Sequence, residues 1–343
     1  MASTVDRPST GLARPGPGDR PPPVIYPGDV TCPVTDGTRN AGSTGNVAAG
    51  SIYTSAVGRR VVERCYERGV ERLRIDVDDE WVDTRYGETH LLVAGDEAAP
   101  PVVVFHGGNA TNPLTLAWFE ALADDYRLVA PDTIGQPGLS APTRVDPTGD
   151  AYGEWVVDLL DALGLGSVPL VGPSYGAGIA LRTAAYAPDR IAAAALVVPA
   201  GLTLGSLPRL VVGIGLPTLG YRLTGSRRLL ARVLDAICTV PAAELDEVTV
   251  DTIGAALRHV ELDRAFPTVE PAELADFDAP TSLVAARHDP FFPADRVVPT
   301  ARGTIPSLVR ATVLTRERHF PSPAGLEHVR SEVRRLLDRI DWG

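Results

Sequence analysis

Three residue types that together can activate a hydroxyl group occur in the second half of this sequence. Ser174 lies in Gly172-Pro173-Ser174-Tyr175-Gly176, a G-x-S-x-G pattern, and Asp289 and His319 follow further along the chain. A serine hydroxyl is a poor nucleophile, so it needs a base, and that base needs a carboxylate to orient it. Together the three side chains could attack a carbonyl carbon.

The flanks of Ser174 indicate a tight turn between a strand and a helix. The apolar run 168–171 precedes the pattern, and the small-residue segment 177–187 follows it. A serine on such a turn projects its oxygen above the sheet, and flanking glycines prevent a clash with neighbouring backbone. The N-terminus of the following helix favours a developing negative charge.

Asp289 and His319 each follow the end of a predicted strand. The run 281–286 ends in Arg287-His288-Asp289-Pro290, and the run 310–314 precedes His319. In an open α/β sheet the loops after the strands meet at one edge, so both side chains should lie on the same edge as Ser174. The chain order Ser174, Asp289, His319 fits an acyl-transfer triad on such a sheet.

Other histidines and acids fit these roles less well. His328 lies inside the periodic last helix, and His288 should point away from the side that Asp289 faces. His90 and His259 lie away from the expected edge. Residues 199–201, which follow the neighbouring strand, contain no carboxylate.

A second glycine-rich loop could bind an oxyanion. His106-Gly107-Gly108-Asn109 follows a short apolar run, and its glycines allow a backbone N–H to face the serine. We expect Gly108 to be the donor, with Asn109 as the second choice, together with the N–H of Tyr175. His106 is predicted to have a structural role.

The elements that must position these residues alternate between strand and helix. Short apolar runs separated by amphipathic segments are typical of a mostly parallel sheet covered on both faces, which is the α/β class. Strands are predicted at 73–77, 90–93, 101–105, 127–130, 168–171, 194–198, 281–286 and 310–314, and helices near 115–122, at 151–163, at 177–187 and at the C-terminus. The segment 132–140 is interpreted as a rigid turn that positions the helix near 151.

Three regions follow from this pattern. Residues 1–50 are rich in proline and glycine and are predicted to form a flexible tail, because they cannot bury enough apolar surface. Residues 55–200 and 279–343 should form the α/β core. The alternation stops in 201–278, which is predicted to be a helical cap inserted over the sheet.

These motifs resemble the α/β-hydrolase superfamily. HGG, PDTIGQPGLS, VGPSYGAG, ARHDPFFP and RERHF are similar to segments of bacterial serine carboxylesterases that cleave bulky aryl-alkanoate esters. The resemblance implies an α/β-hydrolase fold, a Ser174–His319–Asp289 triad, an oxyanion hole from Gly108 and Tyr175, and a cap formed by 201–278. It implies no metal and no organic cofactor.

The composition of the chain argues against some classes of binding partner. The 343 residues carry a formal net charge of −11, which argues against nucleic acid and against docking on anionic lipid. The three cysteines are too few and too scattered for a disulfide framework. We find no signal-peptide pattern and no long apolar run, so a cytoplasmic protein is expected. The resemblance to carboxylesterases implies a small-molecule ester as the substrate.

Other functions share the same scaffold. A serine nucleophile is equally compatible with C–C bond hydrolases, thioesterases, lactonases, perhydrolases and acyltransferases. A binding or signalling protein that retains an unused triad is a further alternative, because fold does not determine function. The sequence leaves the oligomeric state open.

Overall fold

The computed structural model describes residues 51–262, 265–340 and 342; the predicted tail, 1–50, lies outside the described residues. The strands are β1 (Asp78–Thr84), β2 (Gly87–Ala94), β3 (Pro101–Val104), β4 (Arg127–Pro131), β5 (Val168–Pro173), β6 (Ile191–Val197), β7 (Thr281–Ala286) and β8 (Leu308–Leu314). They form one sheet in the order β1-β2-β4-β3-β5-β6-β7-β8. The β1–β2 and β2–β4 pairs are antiparallel, and the other pairs are parallel. The prediction of a mostly parallel sheet is confirmed.

Helices lie along the chain between and around these strands. They are α1 (Ala56–Glu71), α2 (Asn112–Leu116), α3 (Ala151–Ala162), α4 (Tyr175–Tyr186), α5 (Leu207–Leu210), α6 (Leu216–Thr224), α7 (Arg227–Ile237), α8 (Glu247–His259), α9 (Ala294–Thr304) and α10 (Pro323–Leu337). Short 3₁₀ turns and one π-helical turn complete the set. Within the described part of the chain, none of the helices has the length and apolarity that a membrane span requires.

The core strands are apolar along their whole length because both faces of the sheet are covered. Successive side chains of a strand point to opposite faces. Leu170 of β5 belongs to the hydrophobic cluster that contains Trp155 of α3, whereas its neighbour Val171 belongs to the cluster that contains Val329 of α10. This double burial explains why the strands appear in the sequence as continuous apolar runs rather than as alternating patterns.

One predicted strand is wrong. Residues 73–77 form no strand; the first strand, β1, begins at Asp78. Leu73, Ile75 and Val77 instead pack against one of the two main hydrophobic clusters while partly exposed. β1 pairs only with β2, and most of its side chains face solvent, so its sequence lacks the apolar run by which the core strands were recognised.

Helix α1 and the residues just before it pack against α8. The N–H of Thr54 donates to the carbonyl of His259 over 2.9 Å, and Arg68 forms a salt bridge of 2.9 Å with Asp251. A Cβ built at Gly58 would lie 2.9 Å from the Cβ of His259, so a glycine is needed where the helices approach. The imidazole of His259 is therefore enclosed between two helices.

His259 should make stability depend on pH. Burial, reinforced by Arg258 and Arg222, lowers the pKa of His259 to about 4. An unfolded histidine has a pKa of about 6.5, so between pH 6.5 and 4 the unfolded chain binds a proton that the folded chain rejects. The free energy of unfolding should therefore decrease as the pH falls through this window.

The test is urea unfolding of wild type and His259→Gln at pH 7 and pH 5. We expect wild type to lose about 1 kcal/mol more than the variant over this interval, because solvent reaches part of the imidazole and screens the effect. His328→Gln, which changes an exposed histidine of α10, should behave like wild type. Equal losses in wild type and His259→Gln would contradict the assignment.

Candidate active site

Ser174 occupies a strained turn between β5 and α4. Its backbone has φ 52° and ψ −116°, a conformation that side-chain-bearing residues rarely adopt. The N–H of Ser174 donates to the carbonyl of Val197 over 2.9 Å, which ties the turn to the neighbouring strand β6. The partly exposed side chain is thereby held at the C-terminal edge of the sheet.

Two glycines permit this turn. A Cβ at Gly172 would lie 2.3 Å from the carbonyl carbon of Gly176, and a Cβ at Gly176 would lie 2.8 Å from the carbonyl oxygen of Phe105. Both distances are far below van der Waals contact with backbone that cannot move aside. The G-x-S-x-G pattern therefore reflects close contacts among β5, α4 and the end of β3.

His319 lies between Ser174 and Asp289. Its Nε2 is 3.0 Å from Ser174 Oγ, and its Nδ1 is 2.8 Å from Asp289 Oδ2. An ionised carboxylate can only accept, so Nδ1 carries the hydrogen and Nε2 presents a lone pair to the serine hydroxyl. This is the tautomer that a general base for the hydroxyl requires.

Asp289 is held by backbone as well as by the imidazole. Its Oδ1 accepts hydrogen bonds from the N–H groups of Phe291 (2.8 Å) and Phe292 (3.1 Å), and its side chain is fully buried. These bonds orient the carboxylate so that Oδ2 faces His319. The sequence indicated the acid but gave no sign of these two donors.

Phenylalanine rings enclose the imidazole. The ring centroid of His319 lies 4.9 Å from that of Phe291, 5.7 Å from that of Phe292 and 5.8 Å from that of Phe320. Such packing restricts rotation of the imidazole and excludes water from its faces. The Ser174–His319 contact is thus held by packing as well as by hydrogen bonds.

The predicted oxyanion loop lies beside the serine. A Cβ at Gly107 would be 3.8 Å from the Cβ of Ser174, and a Cβ at Gly108 would be 3.0 Å from the ring of Tyr175. The N–H of Asn109 donates to Gln136 Oε1 over 3.0 Å, so the second-choice donor is already engaged. Asn109 is therefore the weaker of the two candidate donors in this loop.

His106 has a structural hydrogen-bonding role, as expected. Its Nδ1 donates to the carbonyl of Gly107 over 2.8 Å, and its Nε2 accepts from the N–H of Thr133 over 2.9 Å. Burial lowers the pKa of His106, which keeps the imidazole neutral for this donor–acceptor pair. His106 thereby links the oxyanion loop to the segment that follows β4.

The other histidines lie elsewhere. His328 is exposed on α10 and donates from Nδ1 to the carbonyl of Ala324 over 2.8 Å, and His288 is exposed beside the buried Asp289. His90 lies on β2, where its Nδ1 is 3.1 Å from Asp132 and its Nε2 is 2.8 Å from Asp79.

An apolar cavity of about 120 Å³ opens at Ser174 and His319. Its walls come from α7, α8 and the π-helical turn as well as from the core, and they include Ile214, Val233, Ile237, Ile253 and Phe266. A wider cleft of about 940 Å³ shares Asn109, Ile214, Leu257, Phe266 and Phe291 with this cavity. The cleft therefore adjoins the cavity at these residues.

Comparison with known proteins agrees with this architecture. The family model for the alpha/beta hydrolase fold matches residues 100–236. The naproxen esterase (carboxylesterase NP) from Bacillus subtilis covers 80% of this chain with a TM-score of 0.69 at 21% identity, and 96% of its own chain is covered. The chain has the α/β-hydrolase fold. Carboxylesterase CesB (YbfK) from Bacillus subtilis superposes with the same TM-score and identity over 82% of this chain and 98% of its own.

Two curated proteins that this chain resembles are carboxylesterases of Bacillus subtilis (strain 168). The uncharacterized carboxylesterase nap is 33% identical over 123 residues, which are 35% of this chain and 40% of that protein. Carboxylesterase YbfK is 29% identical over 137 residues, or 40% of this chain and 46% of its own length. The chain thus spans less than half the length of these relatives, and it resembles bacterial carboxylesterases.

Sequence reasoning missed a positioning residue, Gln136. It lies in the segment 132–140, which was interpreted as a turn for the helix near 151, yet its amide oxygen holds Asn109 of the oxyanion loop. The same segment is braced by Asp132, whose Oδ2 accepts from the N–H of Leu139 over 2.8 Å. The two glycines around Gln136 signalled a turn, but no motif indicated which loop the turn would contact.

Gly176→Ala should destabilise the protein by about 1–3 kcal/mol, because the added methyl overlaps the backbone of Phe105 and His106. Urea unfolding measures this change. Gly303→Ala is the matched control: it lies in α9 with open space around its Cβ and should be neutral or stabilising by up to about 1 kcal/mol. Wild-type stability in Gly176→Ala would contradict the close-contact account.

Proposed function

We propose that this protein is a serine hydrolase that cleaves carboxylic esters through an acyl-enzyme, with Ser174 as nucleophile, His319 as general base and acid, and Asp289 as the orienting carboxylate. The observation that carries the proposal is the continuous hydrogen-bonded line from Asp289 through His319 to Ser174, with distances of 2.8 and 3.0 Å. Its similarity to bacterial carboxylesterases supports esters as the substrate class.

The reaction begins when Ser174 Oγ attacks the ester carbonyl and its proton passes to His319 Nε2. The imidazolium, stabilised by Asp289, then donates that proton to the departing alcohol, which leaves an acyl group on Ser174. A water molecule next loses a proton to His319 and attacks the acyl carbon. The acid is released, and Ser174 regains its proton.

The N–H groups of Gly108 and Tyr175 are proposed to stabilise the oxyanion of each tetrahedral intermediate. Support comes from the closeness of Gly107 to Ser174 and from the place of Tyr175 at the first turn of α4, where N–H groups point out of the helix end. Removing one such donor typically costs about 10²–10³ in turnover.

Residues 201–278 are proposed to act as a cap that defines the substrate. Ile214, Val233 and Ile253 come from this segment and line the cavity at Ser174. With apolar walls and a volume of about 120 Å³, the cavity fits one short alkyl or aromatic group of an ester. We propose a small-molecule ester of this kind as substrate.

The cytoplasm is the proposed location. Cys65 and Cys238 are buried free thiols, and cysteines that form no disulfide are typical of proteins in a reducing compartment. Cell fractionation with an antibody tests this location, and recovery of the protein outside the cytoplasm contradicts it.

Asp289→Asn should lower kcat for p-nitrophenyl ester hydrolysis by roughly 10⁴-fold, because an asparagine favours the wrong imidazole tautomer. Ser174→Ala should reduce turnover to the low level that remains when the nucleophile is absent. His328→Ala is the matched control and should retain wild-type kcat, since His328 is exposed on α10. Steady-state kinetics with circular dichroism as a folding check measures all three.

Two outcomes would contradict the proposal. Wild type could fail to hydrolyse any ester in a series of graded acyl length, or Ser174→Ala could match wild type. If His328→Ala abolished activity while His319→Ala did not, the base would be misassigned.

Ile253→Ala should shift the preference toward longer acyl chains. The truncation enlarges the cavity, so kcat/KM for a longer ester relative to a short one should rise roughly tenfold. Leu230→Ala is the control, because Leu230 is buried in the same cluster but does not line the cavity. An unchanged preference in Ile253→Ala would exclude this cavity as the acyl site.

A further inference from the structure

Residues 207–224 form one continuous helical rod with an apolar face that is open to solvent. α5 runs into a π-helical turn, Val211–Gly215, and then into α6, with helical backbone angles at both junctions. The exposed side chains are Leu207 (63%), Val211 (47%), Val212 (66%), Leu216 (57%), Leu219 (54%) and Leu223 (77%). A cluster of exposed aliphatic residues of this kind marks an interaction site.

The π-helical turn keeps these side chains on one stripe. In an uninterrupted α-helix, Val211 and Leu216 would differ by about 140° around the axis. The N–H of Leu216 instead bonds to the carbonyl of Val211, five residues earlier, so the wider turn brings the two side chains into line. The stripe thus continues from α5 into α6.

The opposite side of the same rod belongs to the candidate active site. Ile214 lines the cavity at Ser174, and Thr218 lines the wider cleft. Tyr221 is fully buried in the cluster formed with α7 and α8. The stripe therefore borders the cleft at Leu219, which is exposed and also lines the cleft.

The charge around the stripe is opposite in sign to that of the whole chain. Residues 204–234 contain five arginines and no aspartate or glutamate, although the protein has a net charge of −11. Arg209, Arg227, Arg228 and Arg232 are exposed. An apolar helical face flanked by arginine is the pattern of a helix that lies in the interface of an anionic membrane.

We propose that the helix formed by residues 207–224 docks on a lipid surface that carries anionic headgroups. The aliphatic stripe enters the boundary between headgroups and acyl chains, and the flanking arginines contact the phosphates. Docking brings the cleft to that surface, because Leu219 belongs both to the stripe and to the lining of the cleft. The overall negative charge, which argued against such docking, is outweighed locally by this basic segment.

A second copy of the chain is the less favourable occupant. In a two-fold dimer the patch meets the same patch of the other copy, so both copies would bring exposed arginines, and no acidic residue of 204–234, into one interface. Anionic lipid supplies the missing opposite charge.

Flotation with vesicles of phosphatidylcholine, with and without phosphatidylglycerol, tests the proposal on full-length protein. We expect wild type to float with the phosphatidylglycerol vesicles and to be released by high salt. Val212→Gln/Leu223→Gln should lower the partition coefficient roughly tenfold or more, because two exposed aliphatic side chains lose their burial in lipid. Arg227→Gln/Arg228→Gln should weaken binding to the anionic vesicles only.

Val57→Gln/Val309→Gln is the matched control, since it changes two valines elsewhere that are also more than half exposed, and it should bind like wild type. Val212 and Leu223 do not line the cavity or the cleft, so their variant should hydrolyse a dissolved short-chain ester as wild type does. Ser174→Ala should bind vesicles normally, which separates docking from catalysis.

Three results would overturn the proposal: no flotation of wild type, equal flotation of wild type and Val212→Gln/Leu223→Gln, or a dimer in light scattering that Val212→Gln/Leu223→Gln dissociates. The last result would assign the stripe to a second copy of the chain.

Discussion

The backbone conformation of Ser174 is the constraint on which the site depends. A side-chain-bearing residue at φ 52° and ψ −116° costs on the order of 1–3 kcal/mol, and surrounding structure must compensate for it. Here the compensation comes from β5, which is buried along its whole length, and from α4, which is buried from Tyr175 to Ala184. The turn directs Ser174 Oγ away from the sheet, and α4 begins at the next residue. The nucleophile therefore lies at the N-terminus of this helix.

The parallel sheet converts three distant positions into one cluster. β5, β6, β7 and β8 are consecutive neighbours and run in the same direction, so the loops after them open on the same edge. Ser174 follows β5, Asp289 follows β7 and His319 follows β8. The backbone donors at Phe291 and Phe292 and the surrounding aromatic rings then fix the imidazole between the other two side chains. The sheet topology thus brings the three side chains close together, and local hydrogen bonds and ring packing orient them.

The buried strands could be predicted from the sequence because they are continuous apolar runs. Ser174 could also be predicted, because the tight turn that holds it requires glycines on both sides and so produces the G-x-S-x-G pattern. The edge strand β1 could not be predicted, since its largely exposed and polar residues form no continuous apolar run. Asp289 and His319 were recognised by their place after strands. The bond from Asn109 to Gln136 and the cavity walls at Val233 and Ile253 depend on contacts between distant segments, for which one sequence holds no signal.

Covalent labelling shows whether His319 and Asp289 make Ser174 reactive. Intact-mass and peptide mass spectrometry after treatment with a fluorophosphonate should find one phosphonyl group per chain, on Ser174, with labelling abolished in Ser174→Ala and strongly slowed in His319→Ala. An unlabelled wild-type protein, or a phosphonyl group on another residue, would contradict the account.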